Sequence, residues 1–214
     1  TIYKGGIVVP VLITLMLTVL CLSVERYLAQ RTAFGKMATT KFVVAIKAAL
    51  AKNDFVEAKN LCAKQRGTIA NVVGASLNAY EEMERTQGIK KAQKISKIQQ
   101  AHEEAVQLEM PTLQMNMPIL ATLVTLGTLT ALFGTVTGMI KSFAALASGG
   151  GGDSVALSTG ISEALINTAL GILTSWLAVV SYNFFSNRID KLTYALDEVG
   201  YTIAQTYEAN HDEA

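Results

Sequence analysis

Three long stretches of the chain carry no charge, and between them apolar positions recur at helical spacing. Lys4 and Glu25 bracket the first, "GGIVVPVLITLMLTVLCLSV". Glu109 and Lys141 bracket the second, "MPTLQMNMPILATLVTLGTLTALFGTVTGMI", and Glu163 and Arg188 bracket the third. A helix needs roughly 20 residues to cross a hydrocarbon core about 30 Å thick, and each stretch supplies them. One such run alone reads equally well as a buried core helix; three in 214 residues read as transmembrane helices. A signal peptide is the other reading of the first run. It lacks a small-residue cleavage site and ends in "VERYLAQR", a charged stop, so a retained anchor is expected.

Between the first two runs the pattern changes to short amphipathic helices. Residues 36–50, "KMATTKFVVAIKAAL", carry apolar positions at helical spacing. "NDFVEAKNLCAKQRG" predicts a second short helix, with Asn53 or Asp54 as its cap and Gly67 as its end. "TIANVVGASLNAYEEMER" predicts a third, with Ile69, Val72, Val73, Leu77 and Tyr80 on one side. A longer helix from Ile89 to Glu109 runs toward the second span with a narrow seam of Ile95, Ile98, Ala101, Ala105 and Leu108. Leu192, Leu196, Val199, Ile203 and Tyr207 form such a seam beyond the third span. Pro111 and Pro118 should bend or loosen the junction below the second span. The expected fold is therefore an all-α integral membrane protein. It has three transmembrane helices, the second and third extended into the cytoplasm, and a small cytoplasmic helical collar. The chain divides into an N-terminal transmembrane helix (1–35), a cytoplasmic helical region (36–110), the second and third spans with a short outer loop (111–187), and a C-terminal cytoplasmic helix (188–214).

Charge sets the orientation. The chain has a net charge of +1 and is 16% charged, against about 25% in ordinary domains. Fourteen of its eighteen Lys and Arg lie between Arg26 and Lys97, and Arg188 and Lys191 follow the third run. Only Lys4 and Lys141 fall on the other side. The positive-inside rule then puts the N-terminus and the "KSFAALASGGGGDSVALSTG" connection outside, and the middle segment and C-terminus in the cytoplasm. Cys21 and Cys62 both fall toward the cytoplasm and are expected as reduced thiols. His102 and His211 lack metal-ligand spacing, and no phosphate loop, nucleophile elbow or catalytic acid pair occurs. No catalytic residue, metal or cofactor is expected. In the basic middle segment the acids, among them Glu81, Glu82, Glu84, Glu103 and Glu104, interleave with the bases. That is a solvated helix surface, so no nucleic-acid partner is expected.

The candidate chemistry lies within the spans. On the second, Thr128, Ala131, Thr135, Gly138 and Ser142 fall close to one face. The third carries two adjacent lines: Glu163, Asn167, Gly171 and Thr174, and Ala164, Thr168, Gly171 and Ser175. One reading is helix packing, since small residues allow close approach and hydroxyls bond across the contact or back to their own helix. The sharper reading is a polar interior reached by water. It draws on Glu163, because a charge near the bilayer centre costs about 2.5 to 3.5 kcal/mol even on lenient scales. Depth leaves two places for Glu163, the polar interior or the solvated outer interface, because about 37 Å of helix separates it from Arg188.

These residues resemble a known family. "LFGTVTGMIKSF" on the second span and "GISEALINTALG" on the third are similar to the two signature stretches of the MotA/TolQ/ExbB proton channel family. "NDFVEAKNLCAKQRGTIANVVGASLNAYE" resembles the short cytoplasmic helices of its ExbB and TolQ branch. Three spans with the N-terminus outside fit that branch, whereas MotA has four. The resemblance implies a subunit of the bacterial inner membrane that forms a homopentameric ring around a pore. Two copies of an ExbD- or TolR-like single-span protein would sit in the pore. Proton flow would drive motion passed to a TonB- or TolA-like protein acting on the outer membrane. By motif position, Thr135 and Thr168 match pore-lining threonines and Glu163 the acidic residue of the third span. The chain departs from the family pattern at several places. Gly127 and Thr128 stand where the family usually has Ala-Pro, and Ala131 where it has glycine. Asn167 replaces a usual alanine, and Leu177, beside Trp176, a usual proline. Thr128, Asn167 and Ser175 add polarity that could suit an ion other than the proton. The expected function is an ion-driven motor subunit, with Thr128, Thr135, Glu163, Asn167 and Thr168 along the pathway. The alternatives are a non-conducting membrane scaffold that stabilises a partner complex, and a free-standing channel. An enzyme has no support in these residues, and they do not separate a TonB-type from a Tol-type system.

Overall fold

The computed structural model describes residues 6–148 and 154–211. Lys4 and the stretch 149–153, four glycines and Asp153, which charge assigns to the outer side, lie outside the described residues. All regular structure among the described residues is helical: α1 (Val8–Ala33), α2 (Thr39–Ala51), α3 (Phe55–Gln65), α4 (Thr68–Arg85), α5 (Lys91–Gln114), α6 (Met117–Ser148) and α7 (Ser154–Asn210). Among the described residues three helical runs are long and apolar enough to cross a membrane: Val8–Ala33, Lys91–Ala147 and Ser154–Asn210. Only 22 to 33% of their most apolar stretches is buried within the chain, so they are apolar outward as well as inward. That is how a helix facing lipid or another subunit reads.

The expected loosening below the second span is a break between the two prolines. Pro111 is accommodated inside α5, and the helix stops at Met115 and Asn116. Asn116 takes a left-handed φ of +64°, which a short polar side chain tolerates better than most. Pro118 then falls in the first turn of α6, where its missing N–H costs no helical bond. The residues gather into two compact units, one from Thr1–Arg26 and Asn116–Ser186, the other from Tyr27–Met115 and Asn187–Ala214.

In the first unit, Val8 and Leu12 of α1 pack with Ala131 of α6 and Leu170 of α7. In the second, the seams expected from sequence are the core. Ile69, Val72, Val73, Leu77 and Tyr80 of α4 are buried, as are Leu192, Leu196, Val199, Ile203 and Tyr207 of α7 and Phe42, Ile46 and Leu50 of α2. Asp54 caps α3 by accepting from the Glu57 N–H at 2.8 Å, a bond that satisfies one of the helix's free donors. Gly67 separates α3 from α4 at a φ of +83°, with the Ala33 backbone pressed against it. A side chain there would be strained by the dihedral and blocked by the carbonyl.

The α5 seam is buried at Ile98 but open at Leu108, which is 80% exposed. The face turned toward α4 at that level is Glu109, whose carboxylate accepts from Thr68 Oγ1 at 3.0 Å and Asn71 Nδ2 at 2.8 Å. One residue along a helix turns the side chain by about 100°, so Leu108 is swung away. His102 is buried with Nδ1 2.8 Å from Ser76 Oγ and its ring over Gly200. Burial holds its pKa below the ordinary histidine value.

Candidate functional site

Small side chains at every fourth position bring α6 and α7 into backbone contact. A Cβ on Gly127 would lie 2.6 Å from Ser175 Oγ, and one on Gly138 would lie 2.9 Å from the Gly160 carbonyl. Gly171 faces Ala131, Gly134 faces Asn167, and Gly160 faces Ser142. Two serines tie the helices further. Ser175 Oγ donates to the Val124 carbonyl at 2.7 Å, and Ser142 Oγ lies 3.2 Å from the Leu157 carbonyl. This is the close approach that glycine, alanine and serine permit between membrane helices. The line of Ala164, Thr168, Gly171 and Ser175 read from the sequence is therefore the face of α7 that meets α6.

Thr135 and Thr168 meet in the middle of that contact. Their hydroxyl oxygens are 2.6 Å apart, and both side chains are half-buried. Thr135 Oγ1 also lies 2.9 Å from the Ala131 carbonyl, and Thr168 Oγ1 lies 3.1 Å from that of Ala164. Each hydroxyl owns one proton and can accept more than one. At any moment one threonine donates across the contact while the other donates back to its own helix. Two proton arrangements thus share one set of heavy-atom positions, and exchanging them reverses the dipole of the pair. A third group brought to the pair can meet either a donor or an acceptor.

The other polar line of α7 also reaches α6, through Asn167 beside Gly134 and Glu163 beside Lys141. Five residues turn a helix through about 140° net, so Glu163 does not share a direction with Thr168. It packs against Gly6, where any Cβ would collide with the carboxylate. Lys141 Nζ of α6 donates to Glu163 Oε1 at 2.8 Å. The side chains are 8% exposed for Glu163 and 57% for Lys141. Glu163 is therefore neither solvated nor alone. Asn167 is fully buried against Gly134, and among the described residues neither amide atom meets a hydrogen-bond partner. An unmet buried polar group costs about 1 to 3 kcal/mol. Thr174, also buried, returns its hydroxyl to the Leu170 carbonyl at 2.8 Å. Thr128 is exposed and donates to the Thr125 carbonyl at 2.9 Å. It lies two turns from Thr135 on the same flank of α6 and outside the α7 contact.

Lys141 has a role that the sequence did not show. Read from the sequence it marked the outer side, and its 22-residue separation from Glu163 carries no periodic signal. The pairing depends on how the two helices are rotated. The unequal burial predicts an unequal response. Lys141→Gln strands a buried carboxylate and should cost about 3 kcal/mol. Glu163→Gln leaves an ammonium that solvent reaches and should cost about 1 kcal/mol or less. Thermal unfolding of the two variants and of the double variant measures the difference. Equal costs would mean that the pair is solvated.

The profile of the MotA/TolQ/ExbB proton channel family matches residues 67–198, more than half of the chain. The Tol-Pal system protein TolQ of Pseudomonas aeruginosa is 29% identical over 66% of this chain and 59% of its own length. TolQ of Haemophilus influenzae is 35% identical over 41% of this chain and 39% of its own. The biopolymer transport protein ExbB of Salmonella typhimurium is 36% identical over 37% of this chain and 33% of its own. The chain thus spans between a third and three fifths of the length of these relatives. The matched residues run from α4 through the Thr135–Thr168 contact into α7. On that extent of agreement the chain belongs to the MotA/TolQ/ExbB proton channel family.

Proposed function

We propose that this chain is an inner-membrane motor subunit that converts ion flow down the membrane potential into mechanical work. It forms a homopentamer around two copies of an ExbD- or TolR-like single-span partner and energises a TonB- or TolA-like protein. The observation that carries this reading is the Thr135–Thr168 pair, two hydroxyls 2.6 Å apart within apolar spans of a proton-channel family. The pair can hydrogen-bond a partner carboxylate whether it is protonated or ionised. Thr128 extends the polar flank of α6, while Glu163, paired with Lys141, holds α7 against α6, and Asn167 lies buried beside Gly134. Relatives named TolQ and ExbB match at similar identity, so both systems fit, as do protons and sodium.

A scaffold that does not conduct is the second reading. It is favoured by one observation: each threonine hydroxyl also reaches a carbonyl of its own helix, which would serve packing alone.

Co-purification with a single-span partner and native mass measurement test the assembly. Five copies of this chain around two of the partner are expected. A functional monomer or dimer would overturn the pore. Orientation is tested by single cysteines in a cysteine-free background. Ser154 and Ser96 are both exposed, whereas Ser76 is buried and would report nothing. A membrane-impermeant reagent applied outside should label Ser154→Cys and spare Ser96→Cys. The opposite pattern inverts the topology.

A further inference from the structure

A pocket of about 450 Å³ in the second unit is lined by Phe34, Thr39, Thr40, Arg188 and Lys191, with Leu192 among its apolar walls. The Arg188 guanidinium lies 4.8 Å over the Phe34 ring, a cation–π contact that fixes its plane. Lys191 is one turn further along α7 and exposed. Thr39 and Thr40 open α2, whose preceding residue, Ala38, supplies no side-chain cap and whose first turn holds no acid. The helix dipole therefore adds positive potential to that of the two cations. Of the residues lining the pocket one is acidic, Glu198, and its carboxylate is paired with Lys47. The lining thus carries two cations and one acid, the acid already paired.

Its depth says which anion. Arg188 is the first charge after the uncharged run that follows Glu163. A residue at the end of a spanning helix lies in the headgroup layer whichever way the chain is oriented. Phe34 and Leu192 give the walls an apolar part, and the pocket is open to its surroundings. Basic pockets beside membrane helices take anionic lipid headgroups. We propose that this pocket binds the phosphate of an anionic phospholipid, with Arg188 and Lys191 as the charged contacts and the start of α2 as the neutral one. The bound lipid joins the ends of α1 and α2 to α7 at the membrane surface. This inference goes beyond the motor reading and requires only that the chain span a bilayer. It is tested with no ion gradient, so its failure leaves the motor reading standing.

The test uses the full-length assembly purified in mild detergent. Phospholipid retained after washing is extracted and identified by mass spectrometry. Phosphatidylglycerol should be retained, and Arg188→Gln with Lys191→Gln should reduce it about tenfold or more. Lys90→Gln with Lys97→Gln removes the same charge from exposed positions on and beside α5 and should leave retention unchanged. Retention in the pocket variant equal to wild type would overturn the site. If the pocket variant does not assemble, the wild-type protein still decides. Its thermal unfolding is followed with added phosphatidylglycerol, phosphatidylcholine or inorganic phosphate. A rise with phosphatidylglycerol alone supports the proposal. An equal rise with phosphatidylcholine, or with inorganic phosphate, overturns it in favour of general detergent relief or a soluble anion.

Discussion

Thr168→Val should leave the protein inserted and assembled yet cut energy-dependent work about tenfold or more, the effect of a barrier raised by 1.4 kcal/mol or above. Valine keeps the shape of threonine and removes the hydroxyl. The structural cost is small, because side-chain hydrogen bonds in membranes average about 0.6 kcal/mol. Thr135 also keeps its contact with the Ala131 carbonyl, so no donor is stranded. What disappears is the pair's ability to present a donor or an acceptor on demand. Thr135→Val should do the same, and Thr168→Ser should restore much of the activity by restoring the hydroxyl. Growth dependent on the system, read alongside expression and native mass, is the measurement. If both valine variants work normally at wild-type expression, the threonines only pack, and the scaffold reading stands for this contact.

Gly171→Leu should do the opposite, destroying the structure before any question of conduction arises. A Cβ at this position runs into the Ala131 side chain and comes within 2.7 Å of the Gly127 carbonyl and 3.3 Å of Ala131 Cα. Two of those three neighbours belong to the backbone of α6 and cannot rotate aside. Relief requires the helices to separate, which dismantles the Ser175 and Thr135 contacts on either side. Overpacking typically costs about 1 to 3 kcal/mol, and a backbone obstacle puts this case at the upper end or beyond. Ile172, the next residue, is 58% exposed, and Ile172→Ala is the control. Limited proteolysis and thermal unfolding in detergent should show the glycine variant collapsed and the control close to wild type. A glycine variant as stable as wild type would show that α6 and α7 do not touch here.

Much of the fold was legible because it depends on periodicity. The buried faces of α4 and of the later part of α7 follow directly from Ile69 to Tyr80 and from Leu192 to Tyr207. The cap at Asp54 and the turn at Gly67 are local chemistry, and local chemistry is written in adjacent residues. The two polar lines on the third span could also be read, but not what each faces. One lies along α6; the other is shared, with Asn167 against Gly134 of α6 and Glu163 between Lys141 of α6 and Gly6 before α1. That difference comes from how three helices are rotated about their axes, which no single helix encodes. Thr128 shares a flank with Thr135 by spacing, yet it is exposed and donates back to its own helix. Leu108 belonged to a seam by pattern and is exposed because a neighbouring carboxylate found two donors on α4.

The spacing that brings α6 and α7 together also makes their alignment degenerate. Gly127, Ala131 and Gly138 oppose Ser175, Gly171 and Ala164. Slide one helix along the other by four residues, about 6 Å, and small side chains again oppose mostly small ones. The glycine ladder therefore creates a smooth track with several near-equivalent stops. What selects one stop are the features that do not repeat: the Thr135–Thr168 hydroxyl pair, the Ser175 bond to the Val124 carbonyl, and the Lys141–Glu163 ion pair. These contacts act as detents. Weakening them together would leave a hairpin that is still packed but free to settle one notch away.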